Sequence, residues 1–176
     1  MTEIRFSSDL EKAVVRAPSL KTRIEIVTAL FPELDLIRFG KASRSAYYDP
    51  RSGTIRLTTR SSTYVIGHEI THLLQDERFL PQGVIPYPKG ERSCDLFLFA
   101  RSPYLVADVW DTRDHSYLGK CLNLTGLRDG FTKVEGQQMI HEVCAEAVKK
   151  REDGKRDYIQ WAENAINERI MIFRYP

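Results

Sequence analysis

Hydrophobic positions along the chain recur at two periods, and the changes between them mark out the elements. Ser7 or Ser8 can cap a helix running to about Ala17, where Pro18 breaks it. Ser19 can cap a second helix carrying Ile24, Ile26, Val27 and Leu30, which ends at Pro32. From Leu34 to Gly40 the pattern tightens, with Leu34, Leu36 and Ile37 near Phe39, and predicts a strand. Ala46-Tyr47-Tyr48, the turn residues Asp49 to Gly53, and Thr54 to Thr59 predict a hairpin.

The helical period returns at Ile66, Ile70 and Leu73 or Leu74, with Ser61, Ser62 or Thr63 available as a cap. A proline-rich loop from Phe79 to Gly90 follows, and Glu91 then opens a segment ending in the apolar run Leu96 to Ala100. Tyr104 to Trp110 fits either a strand or a helix, and Asp111 to His115 reads as a polar loop. From Lys133 one stripe holds Val134, Met139, Ile140, Val143, Cys144 and Ala147, with Glu142 and Glu146 outward. Gly154 stops that helix within the charged turn from Lys149 to Arg156, and a last helix from Asp157 to about Phe173 turns Ile159, Ala162, Ile166, Ile170 and Phe173 inward. The class implied is α+β, with a short β-sheet beside the central helix and a helical C-terminal part.

Chemistry concentrates on Gly67-His68-Glu69-Ile70-Thr71-His72. On a helix, residues four apart stand one turn above each other, so His68 and His72 can offer two imidazoles to a single cation. Glu69 is then held beside the cation without being forced to ligate it. This is what metal-assisted hydrolysis needs: Zn²⁺ lowers the pKa of a bound water to about 7, and a nearby carboxylate accepts the proton.

A catalytic zinc site takes three protein ligands and keeps a position for water. If Glu91-Arg92-Ser93-Cys94-Asp95 begins a helix, Glu91 lies in its first turn and is the expected third ligand, with Asp95 or His115 as substitutes. Asp95 stands one turn on and can accept the second ring N–H of a ligand histidine, fixing its tautomer. For the oxyanion of a tetrahedral intermediate the candidates are His115, Tyr117, Tyr104 and Arg101, His115 first, although an exposed loop histidine is the simpler account of that residue.

With the two-histidine helix followed by Glu91-x-x-x-Asp95, the chain resembles the gluzincin class of HExxH zinc metallopeptidases. Within that class it is most similar to the ImmA/IrrE group, on Cys94, Asp95, Phe97 and Pro103, although the Phe-Ala pair of that group is Phe97-Leu98 here. The resemblance covers residues 44 to 103 and implies a single zincin-like metallopeptidase domain over residues 1–176. It also implies an edge strand above the site that binds extended peptide by main-chain hydrogen bonds. Thr54 to Thr59 is the candidate, with an ordinary strand in a small sheet as the alternative.

Composition narrows the setting. A chain of 176 residues, 42% hydrophobic and 28% charged, fits one soluble domain. A net charge of +2 gives no argument for nucleic acid. The N-terminus lacks the apolar run of a signal peptide, and no segment has the length of a membrane span, so a cytoplasmic location without membrane contact is expected. Cys94, Cys121 and Cys144 form no Cys-x-x-Cys pair and fit reduced, buried thiols. The expectation is a zinc-dependent hydrolase, a metallopeptidase acting on a peptide or protein substrate with Glu69 as general base. The alternative is a regulatory protein that keeps the zincin scaffold, turns over little and binds a partner protein in its cleft.

Overall fold

The computed structural model describes residues 2–107 and 133–174. They belong to two compact units, Met1–Lys89 and Gly90–Pro176. Among the described residues no helix is long and apolar enough to cross a membrane.

The first unit is a small mixed sheet with helices. Its elements in order are β1 (Glu3–Phe6), α1 (Ser8–Arg16), α2 (Pro18–Ala29), β2 (Leu36–Lys41), β3 (Tyr47–Asp49), β4 (Thr54–Leu57), α3 (Thr63–Leu74) and a 3₁₀ turn (Glu77–Phe79). The strand order is β1-β2-β4-β3. β1 and β4 lie parallel to β2, whereas β3 and β4 form the antiparallel hairpin. The register sets Phe6 beside Phe39 and Phe39 beside Ile55, so alternate residues give the sheet one apolar face. Ile37, Phe39, Ile55 and Leu57 on that face are no more than 1% exposed, as are Leu10, Leu20, Ile24 and Val27 from α1 and α2. α2 and β4 both pack against α3, which carries the two histidines.

Three details depart from expectation. β1 is a strand the pattern reading passed over: only Ile4 and Phe6 alternate with Glu3 and Arg5, and the pairing partner lies some thirty residues away. α2 begins at Pro18 with Ala17 as an N-cap that makes no side-chain hydrogen bond, in place of a Ser19 cap. Proline serves there because a first-turn N–H has no partner in the helix and the ring already holds a helical φ. Finally, β4 is not an edge strand. It is paired on one side by β3 and on the other by β2, so the expected peptide-binding edge at Thr54 to Thr59 does not exist. Among the described residues the edges are β1 and the three-residue β3.

The second unit is helical over its described residues: α4 (Glu91–Phe99), α5 (Pro103–Val106), α6 (Lys133–Glu152) and α7 (Tyr158–Arg174). The ambiguous stretch after Pro103 thus opens as a short helix. α6 packs against α5 and α7 through Ile140, Val143, Cys144 and Ala147, each no more than 1% exposed. Val134, expected in the same stripe, is 72% exposed because it sits at the first turn of α6, ahead of the packed stretch. Arg151 donates to the Ala100 and Arg101 carbonyls at 2.9 and 3.3 Å, placing a cation where the end of α4 leaves carbonyls unpaired. On the outer face, Arg169 joins Glu142 at 2.8 Å and Glu146 at 3.4 Å. Gly154 ends α6 at a φ of +75°, as its position predicted.

Candidate metal centre

Helix α3 begins where Ser62 accepts a hydrogen bond from the Val65 N–H at 3.2 Å, one of the three caps the sequence offered. Its approach is fixed from α2, since Arg23 donates to the Ser61 carbonyl at 3.0 Å and to that of Thr59 at 3.3 Å. Ile66, Ile70, Leu73 and Leu74 turn into the core. His68 and His72, on the flank of that stripe, are half-buried. Burial of the apolar stripe therefore decides where both imidazoles point.

The two rings meet. His68 Nε2 and His72 Nε2 are 3.1 Å apart, with the ring planes at 84°. In a tetrahedral zinc site two imidazole nitrogens, each about 2.05 Å from the ion, stand about 3.3 Å apart. The observed spacing fits one shared cation, and without a cation the pair can share one proton. Glu69, between them in sequence, is 8% exposed. The far side of His72 is also occupied. Its Nδ1 lies 3.0 Å from Gln75 Oε1, and Gln75 Nε2 donates to the Pro88 carbonyl at 2.7 Å.

The loop that supplies this carbonyl is pinned to the end of α3. The Tyr87 N–H donates to the Leu74 carbonyl at 2.9 Å, and the Tyr87 hydroxyl donates to Glu33 at 3.3 Å. These contacts make Tyr87 a packed loop aromatic.

Glu91 is exposed and is the first residue of α4, behind Gly90 at a φ of +108°. Cys94 and Asp95, one turn further along, are both fully buried. Cys94 and Asp95 follow Glu91 by three and four residues on a single helix, the latter as the Glu91-x-x-x-Asp95 spacing predicted. Among the candidate oxyanion donors, His115 and Tyr117 lie outside the described residues, as does Cys121. Tyr104, in α5, is 43% exposed. His141 is exposed on α6 beside Glu142. Gln75 is a partner of His72 that sequence reasoning passed over. Its signal is the spacing of three from His72, which brings their side chains together at the helix end.

No family model, curated protein or solved structure matches the chain.

Proposed function

We propose that this protein is a zinc-dependent hydrolase, a metallopeptidase that cleaves peptide bonds. The observation that carries this reading is the 3.1 Å approach of His68 Nε2 to His72 Nε2, with Glu69 between them on the same helix. Two neutral imidazoles and a carboxylate suit zinc before other divalent ions. His68 and His72 hold the ion through Nε2, and the Glu91-x-x-x-Asp95 spacing of the sequence nominates Glu91 as third ligand.

When bound, Zn²⁺ supplies a Lewis acid for the substrate carbonyl and brings the pKa of its water to about 7. Glu69 takes the proton of the attacking water on a carboxylate oxygen and passes it to the departing amine nitrogen. Its burial keeps that carboxylate in a setting where bulk water competes little for the proton.

Zinc content per chain is the direct test. Wild type should hold about one equivalent after loading and His68→Ala below about 0.2. Glu69→Gln should keep the metal and lose hydrolysis of a peptide library. Glu91→Gln and Asp95→Asn, one turn apart on α4, assign the third donor by which of them releases zinc. A wild-type chain that holds no zinc ends the proposal.

A further inference from the structure

Gln75 has an orientation that its neighbours leave no freedom to change. It is the C-cap of α3 and is 7% exposed. A carbonyl oxygen can only accept, so the amide atom 2.7 Å from the Pro88 oxygen must be the nitrogen. The other amide atom, 3.0 Å from His72 Nδ1, is then the oxygen, which also only accepts. Nδ1 must therefore carry the hydrogen. In a neutral imidazole the lone pair is left on Nε2, the atom that faces His68.

Reversing the amide would set oxygen against oxygen at Pro88 and would leave the buried nitrogen facing His72. The backstop is itself held. The Tyr87 N–H bond to Leu74 fastens the loop one residue before Pro88, and the rings of Pro86 and Pro88 fix φ on either side of Tyr87.

We propose that Gln75 is a positioning residue, which sets His72 as the Nδ1–H tautomer and turns its Nε2 lone pair toward His68. The proline-rich loop acts through it: Pro88 orients Gln75, and Gln75 orients His72. Its consequence for zinc rests on the metallopeptidase reading above, whereas the tautomer does not. An outer partner of this kind changes metal affinity by roughly 10- to 100-fold when removed.

The test begins with metal-free wild-type chain carrying ¹⁵N-labelled histidine, at a pH where the imidazoles are neutral. Long-range ¹H–¹⁵N correlation should find His72 as Nδ1–H. Gln75→Leu, checked for folding by circular dichroism, should move His72 toward the Nε2–H form that a free imidazole favours. Gln75→Met, which keeps the length of the side chain but offers Nδ1 no oxygen, should do the same. Zinc titration should then give a Kd raised roughly 10- to 100-fold in Gln75→Leu. A wild-type His72 found as Nε2–H, or a Gln75→Leu tautomer unchanged from wild type, overturns the inference. If the tautomers behave as expected and wild type takes no zinc, the positioning role stands and the metallopeptidase reading is what fails.

Discussion

The Tyr48 hydroxyl donates to the Asp76 carboxylate across 2.9 Å, tying the edge strand β3 to the residues that follow the histidine helix. Asp76 also receives two hydrogen bonds from the Arg78 guanidinium, at 2.6 and 2.8 Å, and Arg78 reaches on to the Pro50 carbonyl at 2.8 Å. The hairpin turn and the end of α3 are thus joined by one charged network. Arg78 first, then Tyr48, hold the Asp76 carboxyl down to about 2. In the unfolded chain an aspartate titrates near 3.9, so its folded pKa is depressed. The stability this contributes is present above about pH 4 and is lost as pH falls through about 2. Urea unfolding of Asp76→Asn and wild type should therefore differ at neutral pH, and the difference should shrink on acidification across that window. A constant difference would refute the role of the charge.

Gly53 and Gly83 separate backbone strain from crowding. Both lie in the left-handed region, at φ +62° and +87°. A Cβ on Gly53 would meet the Phe79 ring at 2.6 Å, whereas one on Gly83 meets nothing within 4 Å. Gly83→Ala should cost about 1 kcal/mol of strain alone. Gly53→Ala should cost at least about 2 kcal/mol, because Phe79 must move as well. Equal losses of stability in chemical denaturation would show that Phe79 gives way freely.

Cys144 should be inert in the folded chain. Its thiol donates to the Phe99 carbonyl at 2.6 Å, and burial pushes its pKa up to about 12. At pH 8 only about one molecule in ten thousand carries the thiolate at this site. Peptide mapping after iodoacetamide should find Cys144 modified only when urea unfolds the protein. Rapid labelling under native conditions would contradict the burial.

Zinc should stabilise the chain by mass action. At free zinc about 100 times Kd the gain is about 2.7 kcal/mol, read as a higher Tm. In His72→Ala the shift should vanish, since one imidazole of the 3.1 Å pair is gone. An equal shift in that variant would move the ion elsewhere.

The sequence by itself determined what depends on neighbours within a turn or two. The four-residue spacing of His68 and His72 along a capped helix, the hairpin around Gly53, the start of a helix at Glu91 and the stop at Gly154 were all legible. Each rests on backbone period, capping or the freedom of glycine, which are local properties. Only the tertiary structure decided that β1 joins the sheet and that β4 lies inside it, because β2 reaches both from a distant part of the chain. It alone decided that Gln75 meets Pro88. A side-chain amide can face either way until a distant carbonyl, held by its own loop, makes one orientation the only one that leaves no buried group unpaired.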